Sequence, residues 1–537
     1  MTDALTYANG PLHLGHVLGS MQVDIFARYQ RMCGHECYFI CGSDAHGTPI
    51  MLRAEQDHVT PNKLVEAVAK SQRDDFAGFL IEFDGYSSTH EEKNREFTYD
   101  IYEKLQQNDD IEAKEIKQAY DVDKAMFLPD RYVKGTCPKC QSPDQYGDSC
   151  EVCGATYETT DLINPISVVS GKAPIEKSTM HYFFKLGKYQ SMLKEWTNSG
   201  HVQKEVAKKL NDWFDAGLKS WDISRDKPYF GFEMPDHEGK FFYVWLDAPI
   251  GYLTAFSKLC DKQGLDFDDF WSKQSNTELY HFIGKDITYF HALFWPAILE
   301  GANYRTPTGV YTHGFLTVNG LKMSKSRGTF ILASDYLKHL DPEHLRYYLA
   351  AKLSDGTTDI DLNFADFTAR VNADLVGKVV NIASRCAGFI VKRFEGKLAE
   401  TLMDESLFNE CSQASGQIGE CYEARHYSRA IREIMALADK ANQFIDQHKP
   451  WVLAKEEGKE SEVQLICTEG LNLFRLLMIY LKPVLPVMAE KVEQFLNCPP
   501  LMWDDAKTPL LDHTINAFKP LTFRVDGDNI DKLLDGD

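Results

Sequence analysis

Two cysteine pairs with the same internal spacing are the clearest chemical feature of the sequence. Cys137 and Cys140 form one pair, and Cys150 and Cys153 form another after nine intervening residues. Four thiolates in two such hooks are a standard tetrahedral ligand set for zinc, and a site filled by protein ligands is structural. A redox dithiol is the alternative, but it needs only one pair. The pattern therefore predicts one structural Zn²⁺ ion.

A pair of histidines near the start of the chain has the spacing of a polyphosphate-binding loop. His13 and His16 flank Gly15 and precede an amphipathic helix predicted from Val17 to Met32. Side chains three residues apart lie on one face of a helix, and the free N–H groups at a helix N-terminus favour an anion. Capping or metal-binding histidines are the alternative interpretation of this pair taken alone.

A second phosphate-binding candidate is a cationic loop far along the chain. Lys322, Lys325 and Arg327 lie among serine and glycine residues, just after the turn sequence 318–320. A mobile loop of this kind can close over phosphate oxygens and stabilise the charge of a departing pyrophosphate. A solvated basic loop or a phosphorylation site is the commoner meaning of a short Lys/Ser run.

These groups need a large scaffold to position them. The chain has 537 residues, which predicts three or four domains. Its net charge of -21 argues against a general nucleic-acid coat, whereas a specific RNA surface needs only a local cluster of Lys and Arg. The start lacks a secretory signal, and charges and prolines interrupt the apolar stretch 471–487. Thirteen cysteines with one tight cluster suit a reducing compartment, so we expect a cytoplasmic protein without a membrane span.

The hydrophobic pattern alternates strand, loop and helix on both sides of the cysteine-containing segment. This alternation predicts a doubly wound α/β domain, whose ligands bind at the carboxyl ends of its strands. Strand candidates are 37–41, 241–246 and 279–284, and apolar residues recur at helical spacing in 375–394 and 424–447. The predicted organisation is the first half of the α/β domain in 1–107, an insertion in 108–220 with a knuckle at 137–153, the second half in 221–320, the cationic loop and a junction in 321–375, and a helical bundle in 376–537.

Taken together, the two phosphate-binding candidates resemble the signatures of class I aminoacyl-tRNA synthetases. His-Leu-Gly-His at 13–16 and Lys-Met-Ser-Lys-Ser at 322–326 have the order and separation of those signatures. The segments 7–10, 41–49, 245–252 and 282–287 are similar to those of methionyl-tRNA synthetases, above all bacterial ones with a single four-cysteine knuckle. The resemblance implies a Rossmann-type α/β catalytic domain, split by a zinc-knuckle insertion and followed by a C-terminal α-helical anticodon-binding bundle.

The resemblance also implies a reaction and the residues that perform it. Methionine and ATP, with Mg²⁺ on the phosphates, would give methionyl-adenylate and pyrophosphate. The methionyl group would then pass to the 3′-terminal adenosine of tRNA(Met), elongator and initiator. The catalytic residues implied are His13, His16, Lys322 and Lys325, and the ATP-binding residues are Asn9, His13, Gly15, His16, Asp286 and Lys325.

Methionine-binding and anticodon-binding residues follow from the same resemblance. Asp44 would bind the α-ammonium group, while His291 and Tyr7 would place polar tips near the sulfur. An aromatic back would consist of Trp221, Phe290 and Phe294, and the other pocket residues would be Leu5, Arg225, Trp245, Ala248, Pro249, Tyr252 and Ile287. The anticodon would be read by Asn381, Arg385 and Trp451.

The sequence departs from the family at its start and leaves two other functions open. Only Met1–Asp3 precede the first family segment, and Thr6 stands where relatives have proline, so we expect either a start placed too late or a missing central strand. The chain ends soon after the bundle, without the extra dimer-forming domain of some bacterial relatives, which predicts a monomer. Another class I synthetase, such as that for cysteine, and a non-catalytic tRNA-binding relative are the alternatives.

Overall fold

The first part of the chain alternates short strands with helices. The protein is described by a computed structural model over residues 1–147, 150–155, 157, 159–323 and 330–535. Helix α1 begins at the predicted pair of histidines, because His13 is its N-cap. The elements of this part are β1 (Thr2–Asp3), β2 (Thr6–Tyr7), α1 (Leu14–Met32), β3 (Ile40–Asp44), α2 (Thr48–Gln56), α3 (Pro61–Gly78), β4 (Gly85–Ser88) and α4 (Glu92–Gln107).

A two-part insertion follows α4. Its elements are β5 (Ile111–Asp121), β6 (Met126–Phe127), β7 (Val133–Thr136), β8 (Gln145–Tyr146), β9 (Ile163–Ser167), β10 (Ile175–Phe184), α5 (Gln190–Asn198), α6 (Lys204–Ala216) and β11 (Trp221–Asp222). β5 and β10 form a long antiparallel ribbon, flanked by β6 and β11. β7, β8 and β9 form a separate small sheet in the same stretch of chain as the cysteine pairs.

The α/β pattern then resumes and completes the main sheet. The elements are β12 (Ser224–Asp226), β13 (Lys240–Phe242), α7 (Val244–Gln263), α8 (Phe267–Trp271), β14 (Tyr280–Gly284), α9 (Trp295–Gly301), β15 (Gly309–His313), β16 (Leu316–Val318) and β17 (Leu321–Lys322). The main sheet has the order β15-β14-β1-β3-β2, with β4 also paired to β3, and all of its pairs are parallel. The prediction of a Rossmann-type sheet interrupted by an insertion is confirmed.

The central strand of this sheet is present as the two residues of β1. Thr2 pairs in register with His281 of β14 on one side and with Ile40 of β3 on the other. Side-chain hydrogen bonds add to these few backbone contacts, because the Thr2 hydroxyl bonds the His281 ring and Asp3 accepts from Ser20. The central position of the sheet is therefore occupied by β1, and the expectation that the chain lacks a central strand is wrong.

Two strand candidates are displaced in the structure. The predicted strand 37–41 is replaced by β3, which begins at Ile40. The backbone groups before Ile40 bond to side chains and not to a neighbouring strand: Arg31 donates to the Cys37 carbonyl, and Asp84 accepts from the Phe39 N–H. The predicted strand 241–246 contains only the end of β13, since Val244 already begins α7. Aromatic and β-branched residues favour strands only weakly, and burial against the sheet decides such runs.

The remainder of the described chain is mostly helical, as predicted. Its elements are α10 (Ala333–His339), α11 (Pro342–Ala350), β18 (Ile360–Leu362), α12 (Phe364–Val371), α13 (Asn381–Arg393), α14 (Glu405–Glu423), α15 (Tyr427–His448), α16 (Pro450–Leu453), α17 (Glu460–Leu481), α18 (Pro486–Leu496) and α19 (Gly527–Asp535). A π-helical stretch, Asn372–Val380, joins α12 to α13. By length and composition α17 would suit a membrane span, but nearly all of its apolar stretch is buried, in contact with α13, α14, α15 and α18.

A buried ion pair joins the sheet domain to the bundle. The Arg346 guanidinium of α11 donates to Asp24 of α1 at 2.6 Å and to the Val484 carbonyl, just after α17, at 2.8 Å. Arg28 also donates to Asp24, at 2.8 Å. Both Arg346 and Asp24 are fully buried. Their ion pair holds α1, the helix that begins at the histidine pair, against α11.

Candidate active site, metal centre and anticodon surface

A cavity of about 980 Å³ opens at the carboxyl ends of the parallel strands. The residues at or just after strand ends that line it include Asp3, Tyr7, Asp44, Gly284 and His313. This is the edge of an α/β sheet where ligands bind, and the volume is at the upper end of that of small-molecule sites. The cavity is the candidate active site.

His13 and His16 line this cavity with their rings stacked, the centroids 3.8 Å apart. The Gly15 N–H donates to Nδ1 of His13 at 3.1 Å, and the His13 N–H donates to Nδ1 of His16 at 3.2 Å. An imidazole that accepts at Nδ1 carries its proton on Nε2. Burial lowers the pKa of His13 to about 4 and also lowers the pKa of His16. Each ring is therefore neutral at pH 7 and keeps one N–H donor for a ligand, so capping and ligand binding are compatible.

The described start of the cationic loop belongs to the hairpin of β16 and β17. Lys322 at the end of β17 and Met323 after it both line the cavity, whereas Lys325 lies outside the described residues. A Cβ atom at Gly15 would lie 2.8 Å from both His13 Cε1 and Met323 Cε. A side chain at position 15 would therefore displace the His13 ring as well as the flexible end of Met323.

Asp44 presents a carboxylate to the cavity without a cation from the described part of the chain. Its Oδ1 atom is buried and accepts no hydrogen bond there. Burial and the nearby Asp247 carboxylate raise the pKa of Asp44 well above its usual value. Asp247 itself is bonded by Nδ1 of His46, whose Nε2 is 2.9 Å from Nδ1 of His90. Of the two carboxylates, Asp44 is therefore the one available to a cationic ligand.

The predicted side-chain pocket is apolar with one fixed polar end. His291 donates from Nδ1 to the Ile287 carbonyl at 3.2 Å, so its Nε2 accepts from the Tyr252 hydroxyl at 2.9 Å. Burial lowers the pKa of His291 to about 4, which keeps the ring uncharged. The predicted pocket residues that also line the cavity are Leu5, Tyr7, Trp245, Ala248, Pro249, Ile287 and Phe290.

The predicted aromatic back, Trp221, Phe290 and Phe294, lies behind Trp245 of the pocket. Trp245 and Phe290 stack face to face with centroids 3.6 Å apart. Trp221 meets the edge of Phe290 at 5.1 Å and Phe294 at 5.9 Å. Neither Trp221 nor Phe294 lines the cavity. Trp221 supports Phe290 from behind, and Phe294 contacts Trp221 in turn.

Most of the other predicted residues also lie on the cavity wall. Arg225 and Asp286 line it, and the Arg225 guanidinium lies 3.6 Å above the centre of the Tyr243 ring. Asn9 does not line it, although its buried Oδ1 atom has no hydrogen-bond partner within the described ranges. Among the described candidates, Asn9, Trp221 and Phe294 are thus the ones set back from the cavity.

One wall of the cavity was not anticipated from the sequence. The segment Phe127–Tyr132, together with Gln118, faces the site from the insertion. These residues carry no motif, and β6 and a short 3₁₀ turn give them no periodic pattern. The His46–Asp247 pair was missed as well, because the two residues are brought together only by the sheet.

The four cysteines converge on one point. Their Sγ atoms all lie within 4.8 Å of one another, and the pairs Cys137–Cys153 and Cys140–Cys150 are 3.9 and 3.5 Å apart. A tetrahedron with Zn–S bonds of about 2.3 Å has S···S edges of roughly 3.8 Å. Backbone N–H groups also donate to Cys137 and Cys150 sulfur, as thiolates require. The cluster has the geometry of a four-coordinate metal site.

The three anticodon candidates share one face of the bundle. The Arg385 guanidinium of α13 lies 4.5 Å from the ring centre of Trp451, which belongs to α16. Arg385 also pairs with Asp446 of α15. Asn381 lies one turn earlier on α13, and its amide donates to Asn442 at 3.4 Å. An aromatic plate, a guanidinium and an amide are thus grouped on the surface.

The fold and the site define a class I tRNA synthetase, with the histidine signature and the first two residues of the lysine signature, Lys322 and Met323, on one cavity at the strand ends. The family described as "tRNA synthetases class I (M)" matches residues 1–387, and the chain belongs to this family, the class I methionyl-tRNA synthetases. The "Anticodon binding domain of methionyl tRNA ligase" matches residues 396–526. Both matches agree with the predicted order of a split catalytic domain and a helical anticodon domain.

Solved structures show the same fold over the full length. Mycobacterium tuberculosis methionyl-tRNA synthetase in complex with methionyl-adenylate superposes with a TM-score of 0.80 at 23% identity, covering 96% of this chain and 97% of that chain. A second structure of that synthetase bound by methionyl-adenylate gives 0.80 at 22% identity, covering 98% and 99%. Its apo form gives 0.72 at 21% identity, covering 98% and 96%.

Proposed function

We propose that this chain is a methionine–tRNA ligase that activates methionine with ATP in the described cavity and then transfers the methionyl group to tRNA(Met). The observation that carries the proposal is the placement of His13, His16 and Lys322 on one cavity with Asp44, whose buried Oδ1 atom has no hydrogen-bond partner among the described residues. Family membership supports the same reaction.

In the proposed ground state, the amino acid is held at both ends. The α-ammonium group pairs with Asp44, whose buried Oδ1 atom accepts no hydrogen bond from the described residues. The thioether lies among Leu5, Trp245 and Phe290, since a polarisable sulfur gains from aromatic contact. The hydrogen bond between Tyr252 and His291 fixes the polar end of the side-chain pocket. A side chain of different length or polarity then loses contacts or leaves these groups poorly paired.

In the proposed activation step, a carboxylate oxygen of methionine attacks the α-phosphorus of ATP while the bond to the β-phosphoryl oxygen breaks. Pyrophosphate leaves with the bonding electron pair, and no protein side chain is covalently modified. The Nε2–H groups of His13 and His16 and the cations Lys322 and Arg225 stabilise the developing charge. Mg²⁺ bound to the phosphates would supply further charge neutralisation. Lys325, Asn9 and Asp286 are further proposed ATP contacts.

The substrate assignment is tested by aminoacylation of total tRNA with each proteinogenic amino acid. We expect methionine alone to be esterified, and only onto tRNA(Met). Charging with cysteine would identify another class I synthetase. Specific tRNA binding without adenylate formation would identify a non-catalytic relative.

We propose Zn²⁺ as the ion of the cysteine cluster, with Cys137, Cys140, Cys150 and Cys153 as ligands. Cys153→Ser should lower the zinc content from about one ion per chain to a small fraction, because one of four thiolates is lost. The control is Cys33→Ser, a partly exposed cysteine outside the cluster. Metal analysis after gel filtration measures the zinc content per chain, and a wild-type protein without stoichiometric zinc would contradict the assignment.

We propose that Asn381, Arg385 and Trp451 read the anticodon. Trp451→Ala should raise KM for tRNA(Met) about 10- to 100-fold, because stacking of a base on an aromatic ring contributes about 1–3 kcal/mol. Methionine-dependent pyrophosphate exchange, which needs no tRNA, should be unchanged. The control is Phe523→Ala, an exposed aromatic residue of the helical domain away from the three candidates. An equal KM effect in both variants would contradict the assignment.

A cytoplasmic monomer is the proposed state of the protein. All thirteen cysteines are described and none forms a disulfide, which supports a reducing compartment. Sedimentation velocity checks the oligomeric state, and a dimer at all concentrations would contradict it.

A further inference from the structure

His181 binds two carboxylates at once where the insertion returns to the sheet domain. Its Nδ1 lies 2.7 Å from Oδ2 of Asp222, and its Nε2 lies 3.0 Å from Oδ2 of Asp226. The His181 side chain is fully buried. Carboxylate oxygens only accept hydrogen bonds, so both ring nitrogens must donate, which only the imidazolium form can do. The geometry thus requires a buried cation between two anions.

The two carboxylates bind further cations on their outer sides. Arg225 donates to Asp222 at 2.9 Å, and Lys240 donates to Asp226 at 2.6 Å. The Thr179 hydroxyl also donates to Asp226, at 2.8 Å. Two anions and three cations therefore form one continuous network, and a buried ionic network is stable only when every member is paired.

This network connects four strands with the cavity. His181 lies on β10 of the insertion, Asp222 on β11, Arg225 and Asp226 on β12, and Lys240 on β13. Across the ribbon, the register partner of His181 is Lys114, which pairs with Glu112. Two members of the network, Arg225 and Asp226, line the cavity. Arg225 is the proposed substrate contact, and its guanidinium lies 3.6 Å from the centre of the Tyr243 ring.

We propose that His181 is a positioning residue for methionine activation: as an imidazolium that ties Asp222 to Asp226, it fixes Asp222 and thereby the Arg225 guanidinium at the cavity wall. This inference rests on the proposed function, because the contact of Arg225 with the reacting groups is itself part of the proposed activation step. It gives the insertion a role in the activation step beyond carrying the metal knuckle.

The bridge has a defined pH dependence. Burial alone lowers the pKa of His181, but the bonds to Asp222 and Asp226 outweigh burial and raise it. Arg225 and Lys240 keep the two carboxylates ionised, and Lys114 is paired with Glu112. A raised histidine pKa means that the bridge is complete at low and neutral pH. It is lost as the pH rises through that pKa, not as the pH falls.

The test compares His181→Gln with the wild type in two genetic backgrounds. A neutral glutamine cannot donate to both carboxylates and carry the charge, so we expect kcat for methionine-dependent pyrophosphate exchange to fall about tenfold, as misplaced groups do. In an Arg225→Ala background the same change should lower kcat about twofold or less, because the group that His181 positions is already absent. Equal losses in both backgrounds would overturn the positioning role.

A crystal structure of His181→Gln supplies a readout that does not depend on activity. We expect the Arg225 guanidinium to be displaced from Tyr243 while the zinc content stays at the wild-type value. The variant should remain folded at about 25 °C with a lower melting temperature, because a buried charged partner is lost. The control is His237→Gln, which removes a neighbouring histidine bonded to Tyr182 and should leave Arg225 and kcat unchanged. An unmoved Arg225 in His181→Gln would refute the inference. A wild-type protein without methionine-dependent exchange would refute the proposed function. The crystal structure of His181→Gln would still show whether His181 fixes the position of Arg225.

Discussion

Replacing Asp44 with asparagine is expected to raise KM for methionine by about 100-fold or more, because removing one partner of a buried charge pair costs about 2–5 kcal/mol. The carboxylate has no cation from the described chain, so the substrate ammonium group is its only counter-charge in the proposed complex. Steady-state pyrophosphate exchange measures the change. The KM for ATP should change little.

The control for this variant is Asp130→Asn. Asp130 also lines the cavity, but it is exposed and accepts a hydrogen bond from Thr159 at 2.7 Å. Its replacement removes a carboxylate from the same cavity without touching the ammonium site, so KM for methionine should change about threefold or less, as for a charge in water. Comparable effects of the two substitutions would show that general electrostatics, and not a specific pair, binds the substrate.

The raised pKa of Asp44 adds a pH dependence with a definite sign. Burial and Asp247 hold the proton on Asp44 to a higher pH than usual, and an ammonium group favours the ionised form. Methionine binding should therefore release protons and weaken as the pH falls. Calorimetry in two buffers of different ionisation enthalpy measures the released protons, and their absence would contradict the pairing.

Replacing Arg346 with methionine is the second change with a large expected effect, this time on stability. Removing one partner of a buried ion pair leaves an uncompensated charge and costs about 3–5 kcal/mol. Arg346 also donates to the carbonyls of Val484, Pro483 and Phe79, and all of these bonds are lost together. Urea denaturation and hydrogen exchange of α1 peptides should both report the loss.

The control is Lys338→Met, which breaks an exposed pair with Asp335. Such pairs contribute about 1 kcal/mol or less, so unfolding should change little. If Arg346→Met were equally mild, Arg28 alone would suffice to balance Asp24, and the junction between α1 and the bundle would not depend on the buried pair.

The sequence was most informative where function restricts residue type. The two signatures, the four cysteines and the helical bundle were all predictable, because each is a local pattern of fixed spacing. The start of β3 at Ile40 and the start of α7 at Val244 were not, since side-chain hydrogen bonds and burial against the sheet decide them. The wall formed by Phe127–Tyr132 and the His46–Asp247 pair join residues far apart in the chain, and their contact exists only after the sheet has formed.

Activation of methionine in this cavity should depend on the histidine loop. Methionine-dependent pyrophosphate exchange measures this dependence when it is compared for the wild type, His16→Ala and His35→Ala, the last at an exposed histidine just after α1. We expect exchange by the wild type and by His35→Ala, and a loss of about 100-fold or more in kcat for His16→Ala, as for removal of a transition-state donor. Full exchange by a folded His16→Ala, or none by a folded, zinc-loaded wild type, would contradict the account.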